Sequence, residues 1–144
     1  MKQILPILAV LLLFACSKSA PTEATSEKAV AENLSPQQVQ GKKVYNTYCF
    51  ACHMQDGNGV PGLNPPLIGT DWVLGDKERL IGVVLNGMSE PIEIDGELYS
   101  NVMNPHAFLS DADIAAVLTY VRSAWGNDAG PLTAAEVASV RAKQ

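Results

Sequence analysis

Histidine occurs twice in 144 residues and cysteine three times. Those numbers leave no second cysteine pair and at most two imidazoles, which argues against a structural zinc site. Charge is sparse as well. Only 17% of the residues are Asp, Glu, Lys or Arg, so the chain is not a charge-rich disordered tail. Of the charged side chains 15 are acidic and 10 basic. Nucleic-acid binding needs a basic face and finds no support in that balance. A length of 144 residues allows one ordinary domain and excludes a Rossmann oxidoreductase, a barrel or a multi-domain enzyme. No internal repeat is present. The one long apolar run, residues 4–15, is too short for a comfortable transmembrane span.

That run has its own meaning. Met1-Lys2 is a short basic start, the apolar stretch follows, and small residues close it. Together they describe an export signal over residues 1–15. Leu13-Phe14-Ala15-Cys16 resembles a bacterial lipobox, with Cys16 as the first mature residue and its thiol carrying lipid. The alternative is an ordinary signal peptide with an incidental cysteine. On the lipid reading the mature protein is periplasmic and anchored to a membrane without spanning it. Loss of residues 1–15 removes Lys2 and no acid, so the mature chain is still more acidic. Simple solubility explains that charge as well as a partner with a basic docking patch does. Residues 16–34 read as a tether, rich in Ser, Ala, Thr and Glu, with one Pro and no aromatic side chain. Such a segment cannot bury enough apolar surface to order itself. As a coil it would span about 25 Å.

The folded module is expected over residues 35–144. Ser35-Pro36 is a helix start, a capping hydroxyl before proline at the first helical position. The helix should run to about Tyr48, with Gly41 and Tyr45 on one face. A glycine inside a helix costs about 1 kcal/mol against alanine, so a second helix crossing closely is expected there. Residues 55–70 form a loop punctuated by Gly57, Gly59, Pro61, Gly62, Pro65, Pro66 and Gly69. Residues 76–86 read as a short helix that buries Leu80, Ile81, Val84 and Leu85 and stops at Gly87. Asp95-Gly96 between two short β-prone runs predicts a small hairpin. Ser110 caps a long helix whose apolar stripe is Ile114, Val117, Leu118, Val121 and Trp125, ended by Gly126. Thr133 and Glu136 form a capping box before a last short helix with Val137 and Val140. The whole is all-α apart from the hairpin. Its loops are long enough to need something to pack against.

Chemistry concentrates at Cys49-Phe50-Ala51-Cys52-His53. C-x-x-C-H is the attachment signature of c-type haem. Two thiols one helical turn apart can each form a thioether with one porphyrin vinyl group, and the adjacent imidazole is then directed at the iron. Other readings fit less well. A thioredoxin-like redox pair would need a surrounding βαβ pattern. For zinc, only His106 is left to add a nitrogen beyond His53. A disulfide closing so short a loop would staple almost nothing. The second axial ligand must come from Met88, Met103 or His106, since Met54 lies next to the proximal histidine. Met103 is favoured because it sits on an extended segment braced by Pro105. Met88 and His106 stay open, and any methionine also serves as core filler.

From about residue 40 to 142 the chain resembles a class I monohaem cytochrome c. The resemblance is carried by Gly41 and Tyr45, the C-x-x-C-H run, Gly57-Asn58-Gly59, Pro65-Pro66-Leu67-Ile68-Gly69, Met103, and Leu118-Thr119-Tyr120-Val121-Arg122. Trp125-Gly126-Asn127 and the run from Glu136 to Arg141 are similar to small cytochrome domains beside periplasmic dehydrogenases and fused to copper nitrite reductases. The resemblance implies helices packed around one covalent haem held by Cys49, Cys52, His53 and Met103, with Pro65 and Leu67 in its wall. It implies that Gly41 and Tyr45 pack against Val117 and Tyr120, and that the Pro65 carbonyl accepts the Nδ1 proton of His53. One departure is Asn104, which separates Met103 from Pro105 where the family usually has Met-Pro.

Two functions then compete. One is an electron carrier between a periplasmic dehydrogenase or other donor and a terminal oxidase or reductase, with both axial positions filled. The other is a haem c enzyme or sensor with an open distal site. No obvious distal acid–base pair exists, and only one C-x-x-C-H is present, so the carrier is preferred. Trp72 and Tyr99 read equally as core residues and as partners of the haem propionates.

Overall fold

The computed structural model describes residues 34–144; the segment 1–33, with the expected export signal, Cys16 and most of the tether, lies outside the described residues. Six helices and one hairpin follow in chain order. They are α1 (Pro36–Tyr48), α2 (Phe50–His53), α3 (Asp71–Leu74), α4 (Lys77–Asn86), β1 (Ile92–Ile94), β2 (Glu97–Tyr99), α5 (Asp111–Val121) and α6 (Ala134–Arg141). None of these helices is long and apolar enough to cross a membrane.

The starts of the helices are chemical. Ser35 accepts from the Gln38 N–H while the Gln38 side chain answers the Ser35 N–H, a capping box that joins proline at the first position. Ser110 caps α5 through the Asp113 N–H, and Thr133 caps α6 in a box with Glu136. Asp76 caps α4, and Gly87 (φ 71°) ends it. The hairpin pairs Ile92 with Tyr99 and Ile94 with Glu97. Asp95 and Gly96 both take positive φ, which this tight turn requires.

α5 is the centre of the molecule. Every residue from Ile114 to Val121 is buried. Beyond its first turn it therefore has no solvent face, rather than the single stripe its sequence suggests. It also ends earlier. Arg122 caps it, and the buried guanidinium spends its donors on the Val73 (2.5 Å), Gly130 (3.1 Å) and Gly75 (3.4 Å) carbonyls. Trp125 lies beyond the helix with φ 54°, so it is not part of the stripe and Gly126 is not the stop.

α1 crosses α5 at Gly41. A Cβ there would strike the Ala116 carbonyl and come within 2.7 Å of Tyr120 Cβ. The crossing glycine is thus explained, with Ala116 rather than Val117 at its closest point. Tyr45 packs on Tyr120 with ring centroids 5.7 Å apart. Ile81 and Leu85 of α4, Ile114 and Leu118 of α5, Leu132, and Val137 of α6 complete the core. Val84 is only partly buried. The four-residue helix α3 falls where the sequence pattern gives no helix signal.

Candidate functional site

Cys49 closes α1, donating its N–H to the Tyr45 carbonyl, and opens α2, where its own carbonyl accepts from Cys52 (3.2 Å) and His53 (2.9 Å). The two cysteines are thereby held one tight turn apart. Cys49 is half-buried and Cys52 exposed. Burial, and then the neighbouring Cys52, push the Cys49 thiol up to about 11.

His53 is buried, and its Nδ1 lies 3.0 Å from the Pro65 carbonyl. A carbonyl only accepts, so Nδ1 carries the proton and Nε2 keeps its lone pair. Burial lowers the His53 pKa, the Pro65 bond opposes that shift, and His106 adds to it. The loop that carries Pro65 is drawn in by Gly59, where a Cβ would sit 2.6 Å from the Pro65 oxygen.

His53 and Cys49 open into a cleft of about 810 Å³, mouth included, walled by apolar side chains of α4, α5 and the hairpin. Pro65, Leu67, Trp72, Met88, Met103 and His106 line it too. The cleft continues outward past Cys52, Tyr48, Glu90, Tyr99 and Val102. Cys49, His53, Pro65 and Met103 line both parts, Leu67 the inner one and Cys52 the outer one. Met54 is exposed and is not among its lining residues.

Met88 and Met103 form an isolated β-bridge, with N–H···O distances of 2.9 and 2.8 Å. Gly87 permits it, since a Cβ there would strike the Met103 carbonyl and lie 2.9 Å from Pro105 N. Met103 is thus braced by the bridge and by Gly87 despite the intervening Asn104. His106 donates its N–H to the Val84 carbonyl, while its ring Nδ1 is buried without a partner among the described residues. Trp72 forms part of the cleft wall under the Arg79 guanidinium, which stands 4.7 Å above its ring. Tyr99 stands at the mouth with its hydroxyl 3.2 Å from Glu97.

These residues fit a flat apolar macrocycle carrying a metal. Thiols at the rim can hold its edge, a buried imidazole and thioether sulfurs supply soft metal ligands, and an orphaned ring nitrogen waits for a polar group.

Comparison with protein families matches the description "Cytochrome c" over residues 22–125. The chain belongs to the cytochrome c family. Cytochrome c-552 of Thermus thermophilus is 41% identical over 120 residues, which cover 77% of this chain and 80% of that protein. The cytochrome c subunit of the quinone alcohol dehydrogenase of Gluconobacter oxydans is 34% identical over 106 residues, 70% of this chain and 22% of that subunit. The gluconate 2-dehydrogenase cytochrome c subunit of Pantoea cypripedii is 35% identical over 108 residues, 70% of this chain and 24% of that subunit. The chain thus spans most of the first relative and about a fifth to a quarter of the dehydrogenase subunits. As a class I monohaem cytochrome c it carries covalent haem c and transfers electrons, and is not itself a catalyst.

The sequence missed Arg122 as a buried tie and the position of Trp125. Neither has a local signal, because each is fixed by a carbonyl that arrives from far along the chain.

Proposed function

We propose that this cytochrome is an exported, lipid-tethered carrier of single electrons, with thioethers at Cys49 and Cys52 and with His53 and Met103 as the axial ligands. When bound, the haem supplies a one-electron Fe(III)/Fe(II) couple. His53 presents Nε2, because the Pro65 carbonyl holds the proton on Nδ1. Met103 presents its sulfur from a backbone pinned by the Met88 bridge and by Gly87. Leu67, Val117, Leu118 and Val121 exclude water from the cleft. The single observation that carries this reading is the meeting of the C-x-x-C-H turn, the Pro65-bound imidazole and the Met103 bridge in one cavity.

Tyr48, Phe50, Val102 and Phe108 are exposed, and Tyr48 and Val102 line the mouth itself. Apolar surface of that kind beside an opening suits brief docking of a redox partner. Partners of two types fit, a periplasmic dehydrogenase as donor and an oxidase or reductase as acceptor. Dehydrogenase cytochrome subunits among the relatives support the first.

In the proposed organisation residues 1–15 are the export signal, 16–34 the tether with lipid on Cys16, and 35–144 the cytochrome domain. Cys16 supports the anchor as the cysteine that the haem does not use.

The ligand assignment is tested by absorption spectroscopy of the oxidised holoprotein. The weak thioether–iron charge-transfer band should be present and should vanish in Met103→Ala while surviving in Met88→Ala and His106→Ala. Loss of the sixth ligand in His106→Ala instead would make the iron bis-histidine. Tight carbon monoxide binding by the unmodified protein would restore the open-site reading. For the anchor, Cys16→Ala should release the protein from membranes or stall its processing. Mature wild type found wholly in the soluble fraction, without acyl mass on Cys16, would remove that part of the proposal.

A further inference from the structure

The corner after α5, residues 123–127, has no part in the ligand set, yet it grips the His53 loop from two sides. On one side, Trp125 donates its indole N–H to the Gln55 carbonyl (3.1 Å). Its ring covers Gly57 so closely that a Cβ there would lie 2.6 Å from Cε3. It does so at φ 54°, a left-handed conformation that strains a bulky residue. Such strain persists only where the surroundings enforce it.

On the other side stands Asn127, which is buried. Its Oδ1 accepts the Gly69 N–H (2.9 Å), and its Nδ2 donates to the Leu67 (2.9 Å) and Val121 (2.8 Å) carbonyls. The Leu67 N–H in turn donates to the Gly57 carbonyl (2.8 Å). The contacts close a ring from the end of α5 through Asn127, Leu67 and Gly57 to Trp125. Pro65, whose carbonyl meets His53 Nδ1, sits two residues before Leu67, inside that ring.

We infer that Trp125 and Asn127 are positioning residues for the proximal imidazole, holding the Pro65 carbonyl on His53 Nδ1 and thereby setting the reduction potential. The inference rests on His53 being an axial ligand. A carbonyl that accepts the Nδ1 proton makes the imidazole a stronger donor and favours the oxidised metal. Loosening the ring weakens that bond, so the potential rises. Asn127→Ala leaves the Leu67 carbonyl and the Gly69 N–H without their partner. Trp125→Phe removes the bond to Gln55 and trims the ring that covers Gly57, while keeping an aromatic side chain at the corner.

The test is redox titration of the holoprotein, with proton NMR of its reduced form. Asn127→Ala should raise the potential by a shift of up to about tenfold in the one-electron equilibrium, about 59 mV. Trp125→Phe should raise it less, and Trp125→Ala should lie between the two. Exchange of the His53 Nδ1 proton should accelerate in the same order. Val137→Ala, a cavity in the core at α6, supplies the control; it lowers stability and should leave potential and exchange alone. If Asn127→Ala does not fold, Trp125→Phe against Val137→Ala decides. Potentials and exchange rates in the corner variants that match the Val137→Ala control overturn the inference. The underlying ligand reading fails separately, when the wild-type His53 ring protons lack the large upfield displacement of an imidazole bound to haem iron.

Discussion

α5 has two sides, and the chain treats them in opposite ways. Toward α1 the contact is backbone to backbone, Gly41 against the Ala116 carbonyl, with Tyr45, Tyr120 and Trp125 stacked beside it at centroid distances of 5.1 to 5.7 Å. Toward the cleft, Val117, Leu118 and Val121 face an apolar opening instead of protein. Charge is paired on the helices and left unpaired at the hairpin. The four ion pairs of the described residues join Lys77 to Glu136, Arg79 to Asp71, Arg141 to Asp111 and Lys143 to Glu78, all on the helices or beside them. Glu90, Glu93, Asp95 and Glu97, in and beside the hairpin, belong to none of them. One half of the core is closed by protein atoms. The other is half a core, whose second surface is the cofactor.

Removing the cofactor should therefore have the largest effect, and an uneven one. Cys49→Ser with Cys52→Ser should abolish covalent haem, so that acid-acetone extraction leaves no colour on the chain. An apolar wall without contact atoms loses dispersion and burial together. In hydrogen exchange the amides of α4 and the hairpin should lose protection first, while α1 and α5 keep theirs longest. Uniform collapse of all helices would break the contrast between the two sides.

Gly41→Ala attacks the closed side. Helix propensity gains about 1 kcal/mol, but a methyl group meets the Ala116 carbonyl and Tyr120 Cβ with nowhere to go. The expected net loss is about 3 kcal/mol in denaturant unfolding. A neutral result would mean that the crossing is looser than its geometry.

The caps come next. Ser110→Ala and Thr133→Ala should each cost about 1 kcal/mol. The two should cost alike, because each hydroxyl accepts the N–H three residues on and donates to that residue's carboxylate.

Smallest is the acid response of the helix-side charges. Lys77, followed by the Thr133 bonds, lowers the Glu136 carboxyl from 4.5 to about 2. A carboxyl depressed in the folded state contributes stability that is complete above its unfolded value and is lost as the pH falls from about 4.5 toward 2. The group is exposed, so the effect on Tm is modest. Glu136→Gln should flatten that limb of a Tm–pH profile, and an unchanged slope would show that the pair is screened out. Lys143→Met, at a still more exposed pair, should change stability by less than about 0.5 kcal/mol.

Legibility in the sequence followed the range of the interaction. Ser35, Ser110, Thr133 and Asp95-Gly96 act within a few residues, so the starts of three helices and the hairpin could be read directly. C-x-x-C-H is equally local. The end of α5 could not be read, because Arg122 is held by carbonyls of residues 73, 75 and 130. α3 is four residues long, too short to show a period. All-round burial of α5 was hidden as well, since a stripe and a fully apolar face share the same positions. Among Met88, Met103 and His106 the pattern alone gave a preference, and all three reach one cleft.

α1 also determines how the molecule is presented to its surroundings. Its thirteen residues rise about 20 Å. One end is fastened by Gln37 to the Leu132 carbonyl and by Gln38 to the Ser123 hydroxyl. The other end delivers Tyr48 to the mouth of the cleft. The start of α1 thus stands at the far end of a rigid rod from that mouth. A visitor can therefore approach the opening head-on without meeting the start of α1.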